Sequence, residues 1–291
     1  TGNPTMSYFK PKQHSRYTNF ACQNKTIKFS SAIKLGERNR NILSYGSYGV
    51  RGGDLLHRIY VKIKISGDNK NFSPNLGEKI IKKFKIGCDN GNGQNIIPLS
   101  SYDNDYMKIY NFINRERHDY LLYKNLIKLE DGNIIIPLLF WFCLEPHLSL
   151  PLISLQYCSI ILDLEFESKD NIYFGENELT LSGELMIDYI SLDTDERRFF
   201  AQSPSQYLID QIQMVEYPIK NLEENYRLNF NHPCKEIFWV IKDDKNSEYT
   251  NILESIAIFC CGQNRTEQKD AMYFSKIQPY QNGRNYMKGV Y

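Results

Sequence analysis

Apolar residues recur at every second position along much of this chain. That restricts the fold more than any other feature, because only an extended strand puts a residue and its second neighbour on one face. Within 59–65, Ile59, Val61, Ile63 and Ile65 fall on one side, and Tyr60, Lys62 and Lys64 on the other. Cys158, Ile160, Leu162, Leu164 and Phe166 repeat the pattern, as do Leu179, Leu181, Leu185, Ile187 and Tyr189 within 178–192. Shorter strands are expected at 25–29, 80–86, 134–143, 235–241 and 252–260. One segment has a helical period instead: in 102–114, Tyr102, Tyr106, Ile109, Tyr110 and Ile113 form a stripe at spacings of three and four. Turn-forming clusters at 46–53, 89–93 and 243–247 separate the strands. Many strands, few helices and turn-rich connections predict an antiparallel, all-β sandwich or barrel.

The chain has 291 residues, 42% of them hydrophobic and 24% charged, enough for a sizeable core. The stretch 134–155 is apolar, but Pro137, Glu145, Pro146, His147 and Pro151 interrupt it, so it reads as two buried strands joined by a turn and not as a membrane span. A boundary falls after Leu192. Thr194 is expected to cap a helix with Asp195 and Glu196 in its first turn, and Ser203, Pro204 and Gln206 resemble a second helix start. The expected division is therefore a first unit at 1–195, a short helical connector at 196–206 and a second unit at 207–291. The second is too short for a complete eight-stranded unit of typical strands of about 5–6 residues.

Nothing in the residues suggests catalysis, a cofactor or a metal. His14, His57, His118, His147 and His232 are scattered, with no H-x-H or H-E-x-x-H. The glycine-rich 46–53 lacks the Lys-Ser/Thr of a phosphate-binding loop, and 87–93 lacks the acidic ligands of a calcium loop. Asp193, Asp195 and Glu196 read as a helix start balanced by Arg197 and Arg198, in preference to catalytic carboxylates. The seven cysteines include no C-x-x-C and suit a reducing compartment. Cys143, Cys158, Cys260 and Cys261 sit in apolar runs where a thiol serves as a small hydrophobe, and the adjacent Cys260 and Cys261 would point to opposite faces of a strand. The triplets beginning at Asn24, Asn71 and Asn264 carry little weight without a secretory signal. A formal net charge of +1 with scattered basic residues argues against direct nucleic-acid binding.

Seven segments, in order, resemble the major capsid proteins of nucleocytoplasmic large DNA viruses. They are Gly2-Asn-Pro-Thr with His14-Ser-Arg-Tyr-Thr-Asn-Phe-Ala; Arg51-Gly-Gly-Asp-Leu-Leu; Ile136-Pro-Leu-Leu-Phe-Trp-Phe-Cys with Leu150-Pro-Leu-Ile-Ser-Leu-Gln-Tyr; Asp188-Tyr-Ile-Ser-Leu-Asp-Thr-Asp-Glu-Arg-Arg-Phe-Phe-Ala-Gln; Leu228-Asn-Phe-Asn-His-Pro-Cys-Lys-Glu-Ile-Phe-Trp; Tyr273-Phe-Ser-Lys-Ile-Gln-Pro-Tyr-Gln; and Gly289-Val-Tyr. The resemblance implies two consecutive jelly-roll sandwiches joined by a connector, a non-enzymatic shell protein, and three copies forming a pseudo-hexagonal capsomer. It implies contacts with neighbouring capsomers and with minor capsid and penton proteins, an inner viral membrane reached through other components, a place in the virion capsid, and assembly in the host cytoplasm. Set against the family pattern, the chain is expected to be a fragment without the N-terminal arm and the last strands of the second jelly roll. The alternatives are a minor capsid paralogue or assembly scaffold on the same fold, and a jelly-roll enzyme or glycan-binding module.

Overall fold

The computed structural model describes residues 17–43, 52–66, 71–89, 96–175, 179–204, 206–243 and 249–291. The Gly2 segment and His14, with most of the turn clusters at 46–53, 89–93 and 243–247, lie outside them. In chain order the first part contains β1 (Phe20–Lys28), β2 (Arg38–Ile42), β3 (Leu55–Ser66), α1 (Leu76–Lys79), β4 (Ile81–Asp89) and β5 (Ile96–Asp103). Next come α2 (Asn104–Asn114), α3 (Arg117–Leu126), β6 (Asn133–Leu138), β7 (Leu150–Pro151), β8 (Ser159–Phe166), α4 (Lys169–Ile172), β9 (Thr180–Leu192) and α5 (Thr194–Gln202).

These strands form two antiparallel sheets, one ordered β1-β9-β3-β6 with β7 also on β3, the other β2-β8-β4-β5. Most successive strands alternate between the sheets, so the chain wraps around its own core as a jelly roll. The alternation seen in the sequence marks the inner faces. Ile59, Val61, Ile63 and Ile65 of β3, Ile160, Leu162, Leu164 and Phe166 of β8, and Leu185, Ile187 and Tyr189 of β9 are all buried in one cluster. Each such side chain contributes about 1.5–3 kcal/mol when withdrawn from water. Pro98 and Pro137 sit in β5 and β6, each of which pairs with a single neighbour, so the missing N–H costs no ladder bond in a sheet centre.

The alternation along β9 skips position 183 for a steric reason. A Cβ on Gly183 would lie 2.7 Å from both Phe29 Cε2 and Ile33 Cδ1, which occupy that slot. Gly77 in α1 is tighter still, since a Cβ there would stand 2.1 Å from the Ile127 carbonyl oxygen. Backbone cannot swing aside as a side-chain tip can, so Gly77→Ala is expected to cost about 2–3 kcal/mol. Denaturant unfolding followed by tryptophan fluorescence would read this as a lower midpoint. An unchanged midpoint would mean that α1 and the end of α3 separate freely.

Several boundaries differ from expectation. The 102–114 stripe divides between the end of β5 and α2, whose N-cap is Asp103, accepting from Tyr106 N at 2.8 Å. The strand expected through 143 stops at Leu138, and Trp141–Cys143 forms a 3-10 turn that folds the aromatic side chains inward. The strand expected beyond Leu150 is two residues long, because Ser154, Leu155 and Cys158 N–H groups close local turns onto Pro151, Leu152 and Leu155 carbonyls. Asp193, not Thr194, caps α5, accepting from Thr194 N at 2.7 Å. No helix starts at Ser203, which instead ends α5 by donating its N–H to the Phe199 carbonyl. α3 was not foreseen.

The later part contains β10 (Ile241–Lys242), β11 (Tyr249–Thr250), β12 (Ser255–Cys260), β13 (Gln263–Asp270), a π turn at Tyr273–Ile277 and α6 (Gln278–Gln281). β10 pairs with β11 and β12 with β13, as separate two-stranded ladders. The strand expected at 235–241 is reduced to β10 and the bridge from Val240 to Val290, because 206–239 is irregular, with bends at 221–223, 232 and 235, and joins no ladder among the described residues.

Candidate assembly surface

The connector and the later segments meet the jelly roll along two seams. At the first, α5 has no buried residue, so apolar packing does not hold it. Three polar links do. Arg197 Nε lies 3.1 Å from Asp54 Oδ1, Ser154 Oγ donates to the Phe200 carbonyl at 2.6 Å, and Thr18 Oγ1 donates to Glu196 Oε2 at 2.7 Å. Asp54 is buried, and its other oxygen accepts from Leu192 N at 2.8 Å, where β9 gives way to the connector. After α5, Tyr207 packs on Trp141 with ring centroids 5.6 Å apart, and Ile209 and Ile212 reach the main core.

At the second seam, Ile109 and Ile113 of α2 form a small cluster with Val290, flanked by Phe112, Phe238, Val240, Tyr249 and Met287. Polar contacts frame it. Asp105 receives Lys242 and the Tyr249 hydroxyl, the latter at 2.9 Å. Burial, followed by the Asp105 charge, pushes the Tyr249 phenol upward. Asn285 caps the end of α2, its side chain donating to the Phe112 carbonyl at 3.0 Å and the Arg115 carbonyl at 2.7 Å. Trp239 and Tyr291 exchange backbone hydrogen bonds of 3.0 and 3.1 Å, and the Trp239 ring meets Phe274 at 5.1 Å. The stripe thus serves two clients: Tyr102 and Tyr106 pack on the main core, joined there by Met107, while Ile109 and Ile113 face the later segments.

Several large apolar side chains along 199–228 are exposed. Leu208 and Leu222 are almost fully exposed, and Phe199, Met214, Val215, Ile219 and Leu228 are exposed too. Exposed apolar side chains concentrated along one stretch of chain are candidates for burial on association.

The residues weighed for chemistry do not converge. Among the described residues no three His, Cys, Asp or Glu side chains are grouped to hold a metal ion. His57 is buried, with Nδ1 3.2 Å from the Phe142 carbonyl, and burial lowers its pKa. His118, His147 and His232 are exposed on separate elements. Asp195 pairs with Arg198 at 3.8 Å in the open, whereas Arg197 turns away to Asp54. Asp54, Asp105 and Asn285 carry the seams; no periodicity marks such polar anchors, and of the three Asp54 alone falls in a family-like segment, Arg51-Gly-Gly-Asp-Leu-Leu. Cys143 and Cys158 pack against the main core as expected, whereas the expectation is corrected for Cys260 and Cys261, which are exposed; Cys88 is buried as well, its pKa pushed up to about 12 mainly by burial.

Two family models match. One described as "Major capsid protein N-terminus" spans residues 7–203, and one described as "Large eukaryotic DNA virus major capsid protein" spans 196–288. The chain is 33% identical over 300 residues to the major capsid protein of Pyramimonas orientalis virus, covering 97% of this chain and 72% of that protein. It is 26% identical over 332 residues to the major capsid protein of Chrysochromulina ericina virus, covering 86% of this chain and 56% of that one. A quasi-atomic structure of the PBCV-1 virus capsid superposes with a TM-score of 0.77 at 25% identity, over 98% of this chain and 79% of that one.

Proposed function

The chain belongs to the major capsid protein family of large eukaryotic DNA viruses, and on that premise we propose that it builds the shell as a homotrimer, three copies forming one pseudo-hexagonal capsomer. The observation that supports this reading most is the set of exposed apolar side chains on the connector and the later segments, on a chain whose jelly roll has a well-packed core. An isolated protomer leaves that surface in water, and association of copies removes it. The jelly roll supplies a rigid wall, the connector sets the direction in which the chain leaves it, and the following unit continues the wall.

In this proposal the first unit runs through 195, the connector covers 196–206, and the second unit starts at 207. The protein works by surface display and carries no catalytic step. Its partners are further copies, neighbouring capsomers, and minor capsid and penton proteins. The near-neutral charge supports a shell that does not bind the genome directly. Assembly would take place in the host cytoplasm, where thiols stay reduced.

Light scattering coupled to size exclusion tests the proposal on the full-length protein. A trimer that persists at micromolar concentration, without added metal or nucleotide, is expected. A monomer across that range would overturn it.

A further inference from the structure

The hairpin that joins β12 to β13 turns through two residues, Cys261 and Gly262, both with positive φ, at 53° and 76°. Such a turn ordinarily takes Asn or Asp before Gly, because left-handed backbone costs other residues roughly 1–2 kcal/mol. Here a cysteine takes that place, directly after another cysteine that ends β12. The turn also undoes the separation expected in a strand. The two sulfurs lie 3.8 Å apart, and both residues are exposed.

That separation has a chemical meaning. Two thiolates bound to one tetrahedral ion at about 2.3 Å each stand about 3.8 Å apart, as the edge of the tetrahedron requires. It is far longer than a disulfide of about 2.05 Å. We propose that Cys260 and Cys261 form a bidentate thiolate site for a soft divalent cation of the zinc or cadmium type. Binding displaces two thiol protons to solvent, forms two metal–sulfur bonds and involves no change of oxidation state. With no third His, Cys, Asp or Glu converging among the described residues, the other coordination positions face solvent. The site is therefore of the open kind, able to exchange its ion.

The other thiols are poor competitors. Burial pushes Cys88 and Cys143 up to about 12, so they hold their protons, and Cys158 packs on the core against Cys88. Cys22 and Cys234 are exposed, on other segments of the chain.

Titration of the intact, reduced protein with cadmium ion tests the site, read by the thiolate-to-cadmium charge-transfer absorption and by proton release. A saturable signal at one ion per chain is expected. Cys260→Ser and Cys261→Ser should each weaken binding by roughly a hundredfold, because losing either thiolate removes the benefit of intramolecular chelation. Cys22→Ser and Cys234→Ser should leave it unchanged. The hairpin is exposed, so the variants should keep the wild-type circular dichroism. Wild-type affinity in either single variant, or loss of the signal in Cys22→Ser or Cys234→Ser, would overturn the proposal.

Discussion

Replacing Phe140 by alanine should lower stability by about 3–5 kcal/mol, a loss typical of a large aromatic removed from a core that cannot collapse around the void. Phe140 is wholly buried and follows β6 of one sheet. Its ring meets Phe84 of β4, in the opposing sheet, edge-on at 5.2 Å, stacks on Phe142 at 5.3 Å, and approaches Tyr102 at 5.5 Å. The deletion therefore opens the seam between both sheets. In a thermal melt the midpoint should fall by roughly 10 °C. Leu121→Ala, on the exposed side of α3, should stay within about 0.5 kcal/mol of wild type and serves as the control. A Phe140→Ala melt matching that control would mean that this cluster does not bind the sheets together.

Arg197→Ala should release the connector from the jelly roll. Asp54 is almost fully buried, and without the guanidinium its charge keeps, among the described residues, the Leu192 N–H as a close partner. Removing one partner of a buried pair costs about 3–5 kcal/mol, and the half-exposed Arg197 places this pair at about 3. Because α5 buries no side chain, its undocking is then resisted mainly by the Ser154 and Thr18 hydrogen bonds, which are neutral-donor contacts weaker than the ion pair. Limited proteolysis should then cut within 193–204 much faster than in wild type, while the core of the sheets stays protected. Asp54→Asn combined with Arg197→Ala should recover part of the loss, since a neutral amide is cheaper to leave without an ionic partner. Equal proteolysis of wild type and Arg197→Ala would show that the ion pair does not hold the connector.

The resemblance to capsid proteins covered Asp54 and Arg197 in two separate segments but gave no hint that they pair, since Asp54 lies far upstream on the approach to β3. An ion pair between distant residues leaves no local trace, whereas a buried strand face leaves one at every second position. The same asymmetry explains the cysteines. In the sequence, Cys260 and Cys261 continue an apolar alternating run and should diverge. A two-residue turn with positive φ reverses the chain at that point and brings the sulfurs together.

What the sequence by itself determined was local and periodic: the inner faces of β3, β8 and β9, the apolar stripe of α2, the all-β class and, through ordered motifs, the family. Only the tertiary structure decided which strands became neighbours, where the strands at Leu138 and Leu150 gave way to turns, and that α2 faces two clusters at once. It also decided that the connector is held by charge and hydrogen bonds. Burial of a repeating face is an energy shared by many neighbouring residues and so is written into the local pattern. A single polar anchor gains its energy from one distant partner, and that partner is chosen only when the chain closes on itself.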